Sequence, residues 1–276
     1  MNSHILVSVC IPCFNAEKTI EKTILSVLNQ TYSNIEVIIC DNKSTDHTVQ
    51  IIHSISDSRL KLYKNETNIG IVLNFQKSLS YATGQYVKML CADDIISLDC
   101  IEKQLNAFIK NKDKNISIVV SEKEVINENN KKLFVKRFPG KEGFYDGESS
   151  IKMCLIRGTN IFGEPGCVLV DNEIAKKTSG FIIEDELTYV VDLNFYCQLL
   201  KKGNLIVLKE PLFSFRIINT SGTARFKWKQ ARIFNKLIDK YHKENFIKTT
   251  FMYRSFGKSM SWIMCLARNL IFKFAN

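Results

Sequence analysis

Three acids stand directly behind short apolar runs: Asp41 after residues 35–40, and the doublet Asp93-Asp94 after residues 86–91. A single Asp in such a place usually only forms a turn or caps a helix. The doublet is different, because adjacent carboxylates repel one another and make a poor structural element. They make a good hard-cation site. Mg2+ or Mn2+ takes one or two carboxylates together with phosphate oxygens and waters. A cation held that way can bridge a diphosphate and stabilise it as a leaving group. Further along, Asp192 opens a helical stretch, where it reads either as a helix N-cap or as a general base.

Hydrophobic patterning supplies the elements that would position these acids. Residues 5–11 are a continuous apolar run of strand length, with Pro12 as its breaker. Asn15 is placed to cap a helix in which Ile20, Ile24, Val27 and Leu28 recur at helical spacing. Runs at 35–40, 60–63 and 86–91 read as strands. Stretches at 48–55, 71–82 and 99–109 read as helices, the second closed by Gly84. This alternation predicts a parallel sheet with right-handed crossovers. In such a sheet ligands bind at the carboxyl ends of the strands, which is where Asp41, Asp93 and Asp94 fall. Strands at 116–120, 164–170 and 205–208 and a helix at 192–201 follow. Residues 121–150 are polar and read as an excursion or a hairpin. After Gly222 the pattern is helical to the end.

With 276 residues, 45% hydrophobic and 24% charged, the chain has the make-up of one large α/β domain with or without an appendage, not of a disordered chain. No apolar stretch reaches the 18 residues that a bilayer span needs, and Met1 to Val7 do not resemble a signal peptide. Nine cysteines, mostly within apolar runs, fit a reducing cytoplasm. Cys10-x-x-Cys13 has no second pair to complete a zinc or redox site. The net charge of +10 is concentrated: residues 225–276 hold 12 Lys and Arg against two acids, Asp239 and Glu244, so the first 224 residues are balanced. Within that tail, Met260, Ile263, Met264, Leu266, Ala267, Leu270, Ile271 and Phe274 share one helical arc. Lys258, Ser261, Arg268, Asn269 and Lys273 gather opposite. A basic amphipathic helix of this kind reads as binding an anionic membrane surface; the alternative is that the arc packs on the protein itself or on a partner subunit. Aromatic residues are interleaved with the cations, but no nucleic-acid motif accompanies them, so nucleic acid is not expected as a partner.

Several blocks in sequence order carry a family resemblance. Val7-Ser8-Val9-Cys10-Ile11-Pro12-Cys13-Phe14-Asn15 resembles the V-S-V-I-I-P-x-Y-N opening of family 2 glycosyltransferases. Ser26-Val27-Leu28-Asn29-Gln30-Thr31-Tyr32 resembles the S-x-L-x-Q-T-y block of the same family, and Glu36 to Asp46 its E-x-I-x-x-D-x-S-x-D block. Asn68-x-Gly70, Asn74 and Ala82-x-Gly84 lead into Leu90-Cys91-Ala92-Asp93-Asp94, the place of its D-x-D region. The resemblance covers roughly the first 110 residues. It departs where Cys91 replaces the first Asp of the common D-x-D-D form.

The resemblance implies a GT-A-like α/β fold: a mostly parallel sheet flanked by helices, with a C-terminal helical segment. Taken with the charge distribution, it divides the chain into a catalytic domain at 1–224, with donor half 1–110 and acceptor half 111–224, and a basic segment at 225–276. It implies an inverting, metal-dependent transferase of surface-polysaccharide or O-antigen synthesis, peripheral at the cytoplasmic face of the cell membrane. Its donor would be a nucleoside diphosphate sugar and its acceptor a glycan or lipid-linked glycan. Pro12, Phe14, Asn15 and Glu17 would line the nucleoside pocket, with Glu17 on the ribose. Asp41 would accept from a pyrimidine ring N–H, which favours UDP or TDP over CDP or GDP. Asn68, Gly70 and Asn74 would complete the donor side. Asp93 would touch the donor, and Asp93 and Asp94 would hold Mn2+ or Mg2+.

On the acceptor side, Val191 to Gly203 resembles the family's E-D-x-D-L-x-L-R-L-like block with Asp192 as base; Val191, Asn194 and Gln198 depart from it. Glu184, Asp185 and Glu186 are rival bases. Gly163-Glu164-Pro165-Gly166 resembles an acceptor-side block, in which Glu164 either contacts acceptor hydroxyls or pairs with a base in a turn. Arg216 matches the Arg of an R-x-H loop over the diphosphate, with Ile218 where the His would stand. A nucleotidyltransferase is disfavoured, because Pro12-Cys13-Phe14-Asn15 is not a Gly-rich phosphate loop. A sugar-nucleotide-binding protein without transferase activity remains the other alternative.

Overall fold

The computed structural model describes residues 4–182, 187–217, 226, 228–244, 246–247 and 250–274, the last four by backbone alone. The rival bases Glu184, Asp185 and Glu186, the departure at Ile218 and the boundary near 224 lie outside the described residues.

The first half follows the predicted alternation. β1 (Val7–Cys13), β2 (Ile35–Asp41), β3 (Leu60–Lys64) and β4 (Tyr86–Met89) lie in the order β3-β2-β1-β4, all parallel. α1 (Ile20–Leu28), α2 (Thr48–Ser54) and α3 (Ile71–Ser80) form the crossovers. β1 and β2 are buried along their whole length, so their sequences read as continuous apolar runs instead of alternating. β1 does not stop at Pro12 but runs on to Cys13. The reason is in the register: β4 pairs with β1 only as far as Cys10↔Met89, so beyond it Pro12 needs no amide on that side. Cys10 and Cys13, three apart in a strand, point to opposite faces. Their thiols reach Ser78 O at 3.3 Å and Asp41 Oδ1 at 3.8 Å respectively, and all nine cysteines are free.

Beyond β4 the sheet becomes mixed. It continues through β9 (Val168–Asp171), β6 (Ile116–Ile126), β10 (Asn204–Arg216) and β5 (Ile95–Ile96), with β9 antiparallel to both neighbours and β10 parallel to β6. β7 (Lys132–Lys136) and β8 (Gly143–Tyr145) add antiparallel ladders to β6 and β10. β6 is longer than the apolar run at 116–120, because the charged residues that follow are buried with partners. Glu122 takes Lys209 at 2.7 Å and Arg137 at 3.2 Å. The polar stretch at 121–150 is thus the end of β6, the β6–β7 hairpin, β8 and the start of α5 (Gly147–Arg157), a helix the patterning did not indicate. Asp146 caps it and Gly158 closes it in the left-handed conformation. The strand expected at 164–170 starts at Val168, after a 3-10 turn at Pro165–Cys167. β10 passes Pro211 through register shifts. α4 (Cys100–Lys110), α6 (Asn172–Lys176) and α7 (Val191–Leu200) complete this half.

The tail forms α8 (Lys229–Lys243) and α9 (Phe251–Phe274). α8 buries Phe234, Leu237, Ile238 and Tyr241 in the same core as the sheet. α9 docks through its polar side: Lys258 pairs with Asp239 at 2.7 Å, and Ser261 Oγ donates to Asn235 Oδ1 at 2.7 Å. Arg268 Nε donates to Gln230 Oε1 at 2.8 Å. Of the apolar arc, Met260, Met264 and Ala267 are half-buried, whereas Ile263, Leu266 and Leu270 are exposed and continue a stripe with Met252 and Phe256. Met252 is 80% exposed and Ile263 56%. Packing of that stripe on the protein's own domain is therefore not what occurs. No described helix is long and apolar enough to cross a membrane.

α9 meets the body at Gly158, where a Cβ would lie 2.2 Å from Ser261 N and 2.5 Å from the Met260 carbonyl carbon. Gly158→Ala adds that backbone clash to a left-handed φ of 62°, itself worth about 1–2 kcal/mol. We expect a loss of about 2 kcal/mol or more, read as a Tm lower by about 4 °C or more. An unchanged melting curve would place α9 elsewhere.

Candidate active site

The carboxyl ends of β1, β2 and β4 carry one side of the site. Loops after β1 and β2 are stitched together by side chains. Asn15, at φ 48°, turns the chain out of β1; its amide donates to Ser44 Oγ at 2.9 Å and its Oδ1 accepts from Thr45 N at 2.8 Å. It therefore does not cap α1, whose first residue follows Thr19 without a side-chain cap. Glu17 Oε2 accepts from His47 N at 3.0 Å and faces His47 Nδ1 at 3.0 Å; these bonds hold its carboxyl below the usual range. Asp46 receives Glu17 N at 3.1 Å and Thr48 N at 3.0 Å. Pro12 is buried, while Phe14 stays 47% exposed at the lip.

Asp41 is 2% exposed. Its Oδ1 accepts from Ser44 Oγ at 2.5 Å and its Oδ2 from Ser44 N at 3.1 Å. Behind it four asparagines form a network. Asn42 Nδ2 donates to Asn68 Oδ1 at 2.9 Å, and Asn65 Nδ2 to Asn42 Oδ1 at 3.0 Å and Asn74 Oδ1 at 2.9 Å. Asn74 Nδ2 then reaches Cys40 O at 2.9 Å. Asn74 is buried with both ends of its amide engaged, so it shapes the donor side from behind. Asn68 caps Gly70 N at 2.9 Å, and Gly70 enters α3 at φ 83°, where glycine is favoured.

The acid doublet sits at the turn after β4. Thr19 and Thr23 of the α1 segment donate to Ala92 O at 2.8 and 3.0 Å, and Thr23 also to Asp94 O at 2.8 Å, which fixes the turn. Arg216, 3% exposed, lies behind it. Its amide donates to Asp94 Oδ1 at 2.9 Å, its Nε to Asp93 O at 2.7 Å, and its Nη1 to the carbonyls of Asn127 and Glu128 at 3.3 Å. The guanidinium thus holds backbone carbonyls around the doublet through Nε and Nη1, while its Nη2 is buried with no hydrogen-bond partner among the described residues. Asp94 Oδ2 is buried without a hydrogen-bond partner among the described residues. Burial, then the neighbouring Asp93, pushes the Asp94 carboxyl well above its usual range, and burial raises Asp93 as well. The ligand atoms of Cys91, Asp93 and Asp94 lie within 4.8 Å of one another. Burial also drives the Cys91 thiol up, followed by Asp94, Asp93 and Asp192, so it stands there as a neutral group. Two carboxylates with an orphaned buried oxygen fit a hard divalent cation.

On the other side, Asp192 is the second residue of α7, after Val190 as N-cap. Asn160 Nδ2 donates to Asp192 Oδ2 at 3.1 Å, and Asn160 is itself held by Phe162 N and Gly163 N at 2.9 and 3.2 Å. Burial lifts the Asp192 carboxyl to about 6 against the pull of the Leu193 amide and Lys123. Lys123, from the buried end of β6, pairs with Glu164. Its charge reaches both Asp94 and Asp192, so the two sides share one electrostatic centre. Asp192, Glu164 and Lys123 line a cavity of about 200 Å³ that Lys136 and Arg268 also enter. Lys123, Lys136, Asn160 and the asparagines Asn42 and Asn65 were not among the candidate site residues in the sequence, and Arg268 stood there only on the polar face of the basic tail helix. For Lys123 the signal was alternation of charge in a strand, which patterning reads as a loop.

The profile described as Glycosyl transferase family 2 matches residues 8–178, more than half of the chain. S. aureus TarS 1–349 in complex with UDP-GlcNAc has a similar fold, with a TM-score of 0.68 over 97% of this chain and 81% of that one at 18% identity. The Escherichia coli UDP-Glc:alpha-D-GlcNAc-diphosphoundecaprenol beta-1,3-glucosyltransferase WfgD is 41% identical over 124 residues, 45% of this chain and 48% of that one, so the match spans about half of that relative. The putative teichuronic acid biosynthesis glycosyltransferase TuaG of Bacillus subtilis (strain 168) is 28% identical over 257 residues, 92% of this chain and 95% of that one. With the GT-A-like sheet and the acids at its carboxyl edge, the chain belongs to glycosyl transferase family 2.

Proposed function

We propose that this chain transfers a sugar, with inversion, from a nucleoside diphosphate donor to a lipid-linked glycan acceptor in surface-polysaccharide synthesis. The observation that carries the reading is the cluster of Cys91, Asp93 and Asp94 at the carboxyl edge of the sheet, its ligand atoms within 4.8 Å of one another, with Asp192 held by Asn160 on the acceptor side. A transferase needs a place for departing diphosphate charge and a base for the acceptor, close together and on opposite sides of the anomeric carbon. Asp192 takes the proton of the acceptor hydroxyl as its oxygen bonds the anomeric carbon. The bond from that carbon to the diphosphate oxygen breaks, and the diphosphate leaves with the electron pair. Asn160 orients Asp192 for this step. Asp93 and Asp94 would hold Mn2+ or Mg2+, which when bound neutralises diphosphate charge. Arg216 positions the doublet.

Asp41 has lone pairs left on both oxygens and supports a base with a ring N–H, so UDP or TDP is favoured. WfgD is named for UDP-Glc, and TarS is solved with UDP-GlcNAc; both support UDP. Glu17 and Phe14 would meet the ribose and base, and Glu164 the acceptor. The exposed apolar stripe of α9, together with exposed Lys229, Arg232, Lys236 and Lys243 on α8, supports seating on an anionic membrane, where a lipid-linked acceptor resides.

The primary test is calorimetry of UDP, TDP, CDP and GDP, each with Mn2+ and with EDTA. One diphosphate, UDP or TDP, should bind in a metal-dependent way; binding of none would sink the donor assignment. Asp94 supplies a second test. Its folded pKa is raised, so its ionisation costs stability: the contribution of Asp94 to the stability of the apo protein should be greatest below about pH 4 and be lost as pH rises toward neutrality. Asp94→Asn should raise the apo Tm at pH 7.5 by a few degrees, about 2–4 °C per kcal/mol, and abolish the rise that Mn2+ gives the wild type. A Mn2+ response equal in both proteins would rule out Asp94 as a ligand.

For the base, kcat/KM should fall on the acid side with a midpoint near the Asp192 value of about 6, and Asp192→Asn should lose about 10²–10⁴ in kcat. Substantial activity in that variant would return the role to another acid. For the stripe, wild type should sediment with phosphatidylglycerol vesicles, and the double variant Ile263→Asp, Leu266→Asp should not. Equal sedimentation of the two would count against the membrane seat.

A further inference from the structure

The cavity beside Asp192 is lined by three cations, Lys123, Lys136 and Arg268, against two carboxylates, Asp192 and Glu164. Lys123, 4% exposed, is paired with Glu164 and stands 5.1 Å from the centre of the Phe215 ring. Arg268 reaches in from α9, fixed by Gln230 Oε1 on Nε at 2.8 Å and Thr159 Oγ1 on Nη1 at 2.9 Å. Its guanidinium stands 6.0 Å from the Tyr189 ring. Lys136, from β7, lines the same cavity and has no hydrogen-bond or ion-pair partner among the described residues. Lys123 first, then burial and Arg268, depress its ammonium to about 7. An unpartnered cation crowded by two others works against stability. Such an arrangement persists where an anion completes it.

We propose that Lys136, Arg268 and Lys123 form an acceptor-side anion subsite that takes the phosphate next to the sugar being glycosylated. The acceptor is then a sugar carried directly on phosphate or diphosphate, not a neutral glycan. The inference rests on Asp192 being the base of the transferase, since only that fixes the cavity as the acceptor side. The donor diphosphate belongs with Asp93 and Asp94, and neither acid lines this cavity. One sugar ring separates a reacting hydroxyl from an anomeric phosphate, and here Asp192 and the cations share one cavity of that scale. Several cations favour a phosphate over a singly charged carboxylate, and an arginine fork suits two phosphate oxygens. Met264 and Ala267 of α9 continue the wall on the helix whose outer stripe is apolar, so a lipid tail would leave toward that side.

The test is calorimetry in EDTA, which keeps the donor metal site silent, with three probes: decyl N-acetylglucosaminyl diphosphate, the matching decyl N-acetylglucosaminide and decyl glucuronide. Wild type should bind the diphosphate about tenfold or more tighter than either other probe. Lys136→Gln should remove most of that preference and Lys136→Arg should restore it, while affinity for the nucleoside diphosphate with Mn2+ stays within about twofold of wild type. Lys136 is the informative position, because no side-chain hydrogen bond or ion pair among the described residues is lost with it. Arg268→Gln should weaken the diphosphate as well, judged only at temperatures where its melting curve shows it folded. Equal binding of diphosphate and uncharged glycoside, or a Lys136→Gln affinity unchanged from wild type, would overturn the subsite. Tighter binding of the glucuronide would overturn phosphate in favour of an acidic sugar. Sugar transfer by a protein without phosphate preference would sink this inference alone, whereas absence of metal-dependent nucleoside diphosphate binding would sink the reading beneath it.

Discussion

Desolvated charge at the junction of β4, β6 and α7 is the constraint around which this structure is arranged. Asp94 has one oxygen with no partner among the described residues, Asp192 is lifted by burial, and Lys123 is pressed the other way by burial of its own. Each would be costly alone, because an ionised group removed from water must be paired, coordinated or neutralised. Here they offset one another only in part. Lys123 is shared between Glu164, Asp94 and Asp192, and Arg216 gives its amide to Asp94 and its guanidinium to carbonyls around the doublet. Such a centre persists only if the surrounding fold over-determines it.

The surroundings do this by closing the loops after β1, β2 and β4 with side chains. Glu36 shows how much hydrogen bonding a buried acid requires when it serves only the fold. It accepts from Ser8 Oγ at 2.6 Å, Lys61 Nζ at 2.7 Å and Thr83 N at 2.9 Å. Burial alone would raise its pKa, yet these bonds hold it at about 2. Asp94, at the turn after β4, receives one bond from Arg216 N and goes the opposite way. The contrast separates the two kinds of acid: a structural carboxylate is saturated with donors, and one reserved for a ligand is left short.

Legibility in the sequence followed the same division. Where an element is buried on both faces or has one apolar side, composition and period gave its existence: β1 to β4 and α1 to α4 fall within a few residues of the expected spans. Asp41, Asp93, Asp94 and Asp192 were visible because an acid after an apolar run or at a helix start stands out. The failures came from polar residues that are buried in pairs. Glu122 and Lys123 read as the start of a loop, although they are interior positions of β6, because their cost is met by Lys209, Arg137 and Glu164 far away in sequence. Asn15 looked like a helix cap, since a cap is a local pattern, whereas its real partners belong to the loop after β2. Pro12 looked like a terminator, since the departure of β4 at that level is a tertiary fact. Periodicity also could not tell which side of α9 faces inward.

That last ambiguity has a physical resolution. An amphipathic helix on a water-soluble surface turns its apolar side in, yet α9 does the reverse over much of its length. Its inward side is held by Lys258, Ser261 and Arg268 through hydrogen bonds, and by the close approach that Gly158 permits. Burying the stripe would have gained about 1.5–3 kcal/mol for each large side chain, and the polar dock forgoes that gain. The arrangement keeps an apolar face available outward and places Arg268, from the opposite side of the same helix, in the cavity beside Asp192. One helix therefore connects a surface suited to lipid with the charged centre where transfer would occur. A substrate with an apolar tail and an anionic head has the one chemistry that both sides of α9 can meet at once.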